Sequence, residues 1–129
     1  MRLLLDTHAL VWWWTDDPRL PATARAALAH TANTVHVSAV SAWEIATKHR
    51  IGKWPDVAAL IAEFPGFVRK SRFTPLAISI EHARAAGALD SPHRDPFDRM
   101  LAAQAGLEDM ILVSADAALR DMGVTVLWD

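Results

Sequence analysis

The chain has 129 residues, of which 52% are hydrophobic, and its formal charge is −2, a composition typical of one folded domain. It contains no cysteine, which excludes disulfide bonds, thiolate zinc sites and cysteine nucleophiles. The slightly negative charge excludes a broad basic surface for nucleic acid, so any contact with nucleic acid has to be local.

The first predicted element is a buried strand at residues 2–5. The run Leu3-Leu4-Leu5 is short, apolar and closed by Asp6, and no small-residue cleavage site follows it, so it indicates a strand rather than a secretory signal. No apolar stretch approaches the ~20 residues that span a bilayer. We therefore expect a cytoplasmic protein that is not attached to a membrane.

Helices and strands then alternate through the first half of the chain. Ser38 and Ser41 are both candidates for the N-cap of one helix, and Gly52 is its predicted stop. Asp56 is expected to cap a further helix. The other predicted elements of this half are helices at 7–14, 21–30 and 42–51 and a strand at 34–37.

The second half continues the alternation. Pro65-Gly66 is expected to interrupt the chain, and Ser79 to cap a helix. Asp95 and Pro96 predict a helix start, with Asp at the cap and Pro in the first helical position. The predicted elements are strands at 73–78, 110–113 and 124–127, helices at 79–86, 96–107 and 115–122, and a loop at 87–94. Helices between successive strands predict an α/β fold with a parallel sheet, built as a single domain over residues 1–129.

Four acidic residues follow predicted strands or begin predicted helices. Asp6 comes directly after strand 2–5, and Asp116 comes soon after strand 110–113. Glu44 and Asp98 lie early in their helices. Ligands of open parallel α/β sheets bind at the carboxyl ends of the strands, where chain reversals and helix N-termini converge. We therefore expect the four carboxylates to meet at one edge of the sheet.

Such a cluster favours a divalent cation. Two like charges about 4 Å apart repel by about 4 kcal/mol at an effective dielectric constant near 20. The predicted ligands are all oxygens, with no cysteine and no histidine pair at zinc spacing, which favours Mg²⁺, with Mn²⁺ as a substitute. Mg²⁺ takes part of its coordination from phosphates and can lower the pKa of an attacking water, so the predicted chemistry is phosphodiester hydrolysis.

Each acid also has a structural interpretation. Asp6, Asp95 and Asp116 could each cap a helix. Asp98, in the first turn of its helix, could stabilise that helix through its dipole. Glu44 lies among apolar residues and has no simple capping role. The functional hypothesis therefore depends on the set of acids rather than on any single one.

Histidine, basic and tryptophan residues leave further interpretations open. The histidines share no ligand spacing and are interpreted as structural or surface residues: His8, His30, His36, His49, His82 and His93. Two basic runs are either local contacts for nucleic-acid phosphates or ordinary solvated surface: Lys48, Arg50 and Lys53, and Arg69, Lys70 and Arg72. The row Trp12 to Trp14 cannot all face inward from one helix, so it either meets another chain or covers a crowded edge of this one.

Four segments, in this order, resemble one family. They are LLLDTHALVWW at 3–13, VSAVSAWEIATKHRIGK at 37–53, HRDPFDRMLAAQA at 93–105 and ILVSAD at 111–116. Together they span nearly the whole chain and resemble the PIN-domain ribonucleases, among them the VapC-type toxins of bacterial toxin–antitoxin pairs. One departure is Ser114-Ala115, where the family often has Thr-Arg or Thr-Asn, so a contact made by that Arg is not expected.

The resemblance implies a fold, an activity and partners. The fold would be a three-layer α/β/α PIN-like domain with a central parallel sheet of about five strands. The activity would be that of a Mg²⁺-dependent endoribonuclease that arrests translation by cutting RNA. A small antitoxin would insert a C-terminal segment into the groove of the toxin, and the toxin would form a homodimer.

The resemblance also assigns roles to residues. The four catalytic and metal-binding acids of the family correspond to Asp6, Glu44, Asp98 and Asp116. Asp98 is preferred to Asp95 because the third acid of the family begins a helix that reads like DRMLAAQA. Asp95, Thr7 and Ser114 are candidates for positions just behind the metal ligands. Lys48, Arg50 and Lys53 are candidates for contacts with RNA phosphates.

Other functions predict different residues. A phosphoacceptor receiver domain also binds Mg²⁺ through clustered acids, but it has paired acids after its first strand and a Lys after its last. Here Asp6 is followed by Thr7, and the last predicted strand by Trp128-Asp129. A housekeeping PIN nuclease of RNA maturation would lack a small partner gene beside its own, and a pure binding module would be expected to lose acids that this chain keeps.

Overall fold

Five strands form one parallel sheet in the computed structural model, which describes residues 1–129. The strands are β1 (Arg2–Leu5), β2 (Thr34–Ser38), β3 (Thr74–Leu76), β4 (Ile111–Val113) and β5 (Val126–Leu127). Their order across the sheet is β3-β2-β1-β4-β5. Leu4 of β1 pairs with His36 of β2 on one side and with Leu112 of β4 on the other, so the first strand of the chain is the central one.

Seven α-helices and two 3₁₀ helices connect the strands. The α-helices are α1 (Thr7–Trp14), α2 (Ala22–Ala29), α3 (Ala39–Arg50), α4 (Ala58–Ala62), α5 (Phe64–Lys70), α6 (Ile80–Ala88) and α7 (Pro96–Leu107). The 3₁₀ helices are Pro55–Val57 and Ala117–Met122. None of these helices combines the length and the apolar character that crossing a membrane would require.

The apolar run of β1 separates the core into two layers. Successive side chains of a strand point to opposite faces of its sheet. Leu3 and Leu5 accordingly pack with residues of α1 and α2, whereas Leu4 packs with residues of α7, and all three leucines are fully buried. Helices therefore cover both faces of the sheet, and the predicted three-layer α/β/α PIN-like fold is confirmed.

The strand order creates a switch point between β1 and β4. The chain first adds β2 and β3 on one side of β1, and then returns to add β4 and β5 on the other side. Where the strand order reverses in this way, a crevice opens outside the carboxyl ends of the two central strands. Asp6 directly follows β1 and Ser114 directly follows β4, so the topology brings both residues to this crevice.

The predicted alternation of helices and strands is confirmed, and the local predictions differ from the structure in detail. The chain does break near Pro65-Gly66, since α4 ends at Ala62 and α5 begins at Phe64, but the pair itself lies in the first turn of α5, where a proline has no helical hydrogen bond to lose. Asp56 does not cap a helix, because it lies inside the 3₁₀ helix Pro55–Val57. The predicted loop 87–94 is also shorter, since α6 continues to Ala88.

The helix α3 begins three residues earlier than the predicted helix at 42–51. Ser38, and not Ser41, caps α3 by accepting a hydrogen bond from the backbone N–H of Val40 at 3.0 Å. The helix therefore begins at Ala39. The hydroxyl of Ser41 instead lies 3.0 Å from the hydroxyl of Thr7, which connects α3 to α1.

The tryptophan row of α1 finds partners within the chain. Trp12 and Trp13 pack, partly buried, against the same apolar cluster as β1. Trp14 packs there too and donates its indole N–H to the hydroxyl of Ser71 at 2.8 Å. These contacts favour the interpretation in which the row covers a crowded edge of its own chain.

A buried polar network connects β2 with α6 and α7. Gln104 of α7 is fully buried, and its Oε1 accepts a hydrogen bond from the hydroxyl of Ser38 at 2.5 Å. Its Nε2 donates to the carbonyl of Ala77 at 3.3 Å and lies 3.3 Å from Nδ1 of His82. The amide thereby holds the start of α3 against α7, the two helices that carry two of the predicted acids.

Replacing this amide with a side chain of similar size should destabilise the fold. Gln104→Leu leaves the buried hydroxyl of Ser38 without its acceptor and the Ala77 carbonyl without this donor. A buried polar group without a partner costs about 1–3 kcal/mol. We therefore expect the free energy of unfolding, measured by urea denaturation, to fall by about 3 kcal/mol. A loss below about 1 kcal/mol would show that the network does not hold α3 against α7.

Candidate metal centre

Asp6 is a buried carboxylate between β1 and α1. Its backbone N–H donates to the carbonyl of Val113 at 3.0 Å, and only 8% of the residue is exposed. Its Oδ1 accepts a hydrogen bond from the backbone N–H of Ala9 at 2.8 Å, which caps α1. Because the cap uses one carboxylate oxygen, the second oxygen stays available for other partners.

Glu44 reaches the crevice from α3. It is 3% exposed and has no capping role. Its carboxylate forms an ion pair with Lys48, which lies one turn later on the same face of the helix. A buried charge without a partner is costly, and this pairing explains how Glu44 is tolerated in the interior.

Asp95 and Asp98 have different roles at the start of α7. Asp95 caps the helix, since its Oδ1 accepts hydrogen bonds from the backbone N–H groups of Phe97 and Asp98 at 2.9 and 3.3 Å. The carboxylate of Asp98 takes no part in this cap, and its Oδ2 lies 2.9 Å from Nε2 of His93. Asp95 therefore orders the helix end that presents Asp98.

Asp116 brings a further carboxylate from the loop after β4. It caps the 3₁₀ helix Ala117–Met122 by accepting a hydrogen bond from the backbone N–H of Ala118 at 2.9 Å. One ligand atom from each of His93, Asp98 and Asp116 lies within 4.8 Å of the others. A single metal ion could therefore contact all three side chains.

The charge of Glu44 acts on the pKa of both Asp6 and Asp98. Burial raises the pKa of Asp6 to about 6; the hydroxyl of Ser114 and the capping hydrogen bond lower it, and the charges of Asp98 and Glu44 raise it. Burial also raises the pKa of Asp98; the hydrogen bond from His93 opposes this, and nearby carboxylates add to it. The structure thus brings the predicted acids to one edge of the sheet, and their role as metal ligands stays a prediction.

The residues predicted to support the acids occupy different positions. Ser114 is fully buried beside the carboxylate of Asp6, and its hydroxyl accepts a hydrogen bond from the backbone N–H of Asp116 at 3.0 Å. It connects two of the predicted acids. Thr7 instead contacts Ser41, so its role is to hold α1 against α3.

The basic run after Glu44 divides into two parts. Lys48 is partly buried and paired with Glu44, so it lies inside the candidate site. Arg50 and Lys53 are exposed, at the end of α3 and in the turn that follows. Any contact that they make with a phosphate would therefore be at the periphery of the site.

His93 is a site residue that the sequence interpretation missed. We interpreted it as structural or surface because the histidines share no ligand spacing, yet its ring contacts Asp98. The two residues are separated by the cap of α7, and the turn before the helix folds the imidazole back onto the carboxylate. The usable signal was that both lie in one segment, HRDPFD, at residues 93–98.

Comparison with known proteins identifies the family. The PIN domain, as a family profile, matches residues 3–124 of the chain. The chain belongs to the PIN-domain family. This PIN domain is 33% identical over 122 residues to Ribonuclease VapC22 of Mycobacterium tuberculosis, and the alignment covers 92% of the chain and 89% of that relative. It is 35% identical over 79 residues to Ribonuclease VapC16 of the same organism, and this match spans 58% of the chain and 56% of that relative.

Solved structures share the fold of this PIN domain at lower identity. One match is a chain of VapBC2 from Rickettsia felis, a complex solved with a DNA fragment from its promoter. Its TM-score is 0.72 at 18% identity, and the match covers 100% of both chains. A chain of VapBC-1 from nontypeable Haemophilus influenzae matches with a TM-score of 0.64 and 12% identity, covering 98% of this chain and 97% of that one. At such identities the likeness shows the fold alone, and it agrees with the family resemblance of the sequence.

In metal-free buffer, Asp6→Asn should stabilise this PIN domain increasingly as the pH rises from about 4 to about 6. Asp6 binds its proton more tightly in the folded protein than in the unfolded chain, so the parent loses stability as it gives up this proton, and Asn does not. Asn also keeps the cap of α1. One pKa unit is about 1.4 kcal/mol, so the difference between the two free energies of unfolding should grow by about 3 kcal/mol across this range, measured by urea denaturation at each pH.

Asp109→Asn is the matched control for this experiment. Asp109 is exposed in the turn after α7, and its φ of 54° is one that Asn also adopts readily. Its difference from the parent should stay constant with pH. A constant difference for Asp6→Asn as well would mean that Asp6 is not held in a buried, negatively charged site.

Proposed function

We propose that this PIN domain is the endoribonuclease toxin of a toxin–antitoxin pair and hydrolyses RNA phosphodiester bonds with the help of a divalent cation. The observation that carries the proposal is the group of acids at the switch point of the sheet: Asp98 and Asp116 lie with His93 within 4.8 Å of one another, and the charges of Asp98 and Glu44 act on the buried carboxylate of Asp6. Two relatives, at 33% and 35% identity, are both named ribonucleases, which supports the class of reaction.

The donor atoms fit a hard divalent cation. The site offers carboxylate oxygens and one imidazole, and the chain has no thiolate to offer. Oxygen donors suit Mg²⁺, and Mn²⁺ accepts the same ligands together with imidazole. We propose Mg²⁺ as the ion and the four carboxylates as the groups that hold it. When bound, such an ion neutralises the crowded charges, lowers the pKa of a bound water and stabilises charge on the phosphate.

Hydrogen bonds within the chain keep the carboxylates in position before any substrate arrives. Asp6 is held by the backbone N–H of Ala9, and Asp116 by its own cap and by its backbone N–H, which donates to the hydroxyl of Ser114. His93 contacts the carboxylate of Asp98 from the loop before α7. Groups that are ordered in advance lose little entropy when ion and substrate bind, and this supports the assignment of the site.

A proton competes with the cation at Asp6. The pKa of Asp6 is about 6 in the metal-free protein, because the carboxylate is buried among other carboxylates. Binding of a cation would therefore displace this proton. The affinity for the cation should accordingly fall as the pH drops below about 6.

Lys48 is the cation of the chain that is best placed to meet a substrate phosphate. Its ammonium group is paired with Glu44, and 26% of its side chain remains exposed. A metal ion that shared the charge of Glu44 would weaken this pairing and leave the ammonium free to donate to a phosphate oxygen. Arg50 and Lys53 would then extend the contact along the RNA backbone.

We propose that a small antitoxin controls this activity and that the toxin forms a homodimer in the cytoplasm. The structures of VapBC2 and VapBC-1 that share this fold are named as VapBC assemblies. The likeness covers nearly the whole of each chain and supports an antitoxin as partner.

Loss of one ligand or of the cation should abolish RNA cleavage. We expect Asp98→Asn to lower the rate by at least about 100-fold in Mg²⁺, because an amide binds a hard cation poorly and leaves the phosphate charge less well compensated. Addition of EDTA to the parent should have the same effect, and Mn²⁺ should restore activity. The measurement is the cleavage of a labelled single-stranded RNA by purified protein.

The exposed carboxylate of Asp109 again provides the control. Asp109→Asn should cut RNA as fast as the parent, and circular dichroism should show that both variants are folded. If folded Asp98→Asn cuts RNA at the rate of the parent, or if EDTA has no effect, the proposed metal-dependent hydrolysis is wrong.

A further inference from the structure

Two pairs of aromatic rings flank the acidic cluster. The first flank is Trp43 and Phe97, whose ring centroids lie 4.9 Å apart at an angle of 75°. The second flank is His8 and Trp54, which stack with centroids 4.9 Å apart at an angle of 27°. The proposed hydrolysis uses none of these four rings, so their arrangement calls for its own explanation.

Three of the four rings lie on helices that carry, or are capped by, one of the acids. Trp43 directly precedes Glu44 on α3, and Phe97 directly precedes Asp98 on α7. His8 comes one residue after Thr7, at the start of the helix that Asp6 caps. Any movement of these helix ends would therefore move rings and carboxylates together.

Lys48 connects the two flanks through space. Its Nζ lies 6.0 Å from the ring centroid of Phe97 and 6.0 Å from that of Trp54, while it is paired with Glu44. One surface thus presents, side by side, aromatic rings, an ammonium group and the acids of the proposed metal centre.

Trp43 is the exposed member of this surface. It is 57% exposed, whereas the other five tryptophans are partly buried. His8 is exposed as well. A large apolar ring left in water next to a functional site indicates a ligand that covers it.

Among ligands that bring a phosphate to the acids, single-stranded nucleic acid also brings flat rings. Every base has a π face that can stack on an aromatic side chain, and proteins that bind single strands combine such rings with basic groups along the backbone. A duplex meets these requirements poorly, because its bases are already stacked on one another and paired. The charge at the site fits this occupant too, since Lys48 supplies a cation for the backbone.

We propose that the two flanks are base-stacking platforms that hold single-stranded RNA across the acidic cluster, with Trp43 stacking on the base on one side of the cleaved phosphate and His8 on the base on the other side. This inference rests on the proposed function and narrows its substrate to unpaired RNA. Stacking contacts tolerate every base, so the platforms select single strands rather than a sequence.

Binding of a short RNA to the whole chain tests this directly. The probe is a fluorescently labelled single-stranded RNA of eight nucleotides, and its anisotropy is measured with Ca²⁺ as the cation, with the integrity of the RNA checked on a gel. We expect Trp43→Ala to raise the Kd about tenfold. Trp43→Phe should retain most of the affinity, because a phenyl ring still stacks. His8→Ala should weaken binding in the same direction.

The control variant is Leu107→Ala. Leu107 is a large apolar residue that is 52% exposed, like Trp43, but it lies at the opposite end of α7 from Asp98. Its replacement should leave the Kd unchanged. An eight-base-pair duplex should bind the parent at least about tenfold more weakly than the single strand, because its bases cannot stack on the platforms.

An oligonucleotide that lacks its bases separates stacking from a structural role of Trp43. On the same RNA made abasic at its central positions, the parent and Trp43→Ala should bind equally weakly. The inference is overturned if the parent binds the abasic and the intact strand with equal affinity, or if it binds neither. It is also overturned if the parent binds the intact strand no more tightly than Trp43→Ala does, and that result would indicate that Trp43 contacts a protein partner instead.

The cleavage assay keeps this inference distinct from the proposed function. A parent that cuts RNA in Mg²⁺, and whose Kd and rate are unchanged by Trp43→Ala, would retain the proposed function without the platforms. A parent that binds RNA through Trp43 but does not cut it in Mg²⁺ or Mn²⁺ would retain the platforms and overturn the proposed hydrolysis.

Discussion

The crowding of negative charge at one sheet edge is the constraint on which the rest of this structure depends. Asp6 and Glu44 are almost completely buried, and a buried charge is costly unless other groups in the protein compensate it. The chain compensates in part, through backbone N–H groups, the hydroxyl of Ser114 and the ammonium of Lys48. Burial still raises the pKa of Asp6 to about 6, so this compensation is incomplete at Asp6.

Helix capping and metal binding, which are alternatives for an aspartate in a sequence, are compatible in the folded protein. A carboxylate has two oxygens, and in both Asp6 and Asp116 one oxygen accepts a backbone N–H while the other is not needed by the helix. Asp95 caps α7, and it orders the turn that presents Asp98. The caps therefore fix the directions of the acids and reduce the entropy lost when a ligand binds.

The proposed RNA binding is compatible with the net charge of −2, because all the groups that would contact RNA lie at this one sheet edge. Affinity for nucleic acid does not need a broad basic face when a cation, one well-placed lysine and several exposed rings meet a short single strand. Trp43, Phe97 and Lys48 approach the acids because α3 and α7 both begin at this edge. Fold topology, more than overall composition, sets the chemistry of the site.

The sequence by itself determined the alternation of helices and strands, the apolar central strand and the positions of the four acids, because periodicity, caps and strand ends are local properties of the chain. Only the tertiary structure decided that Asp116 lies beside His93 and Asp98, that Lys48 lies between the rings of Phe97 and Trp54, and that Gln104 holds α3 against α7. It also decided that Trp43 stays exposed while the row on α1 is covered. Such contacts join residues whose proximity depends on how whole elements pack, and no local pattern carries that information.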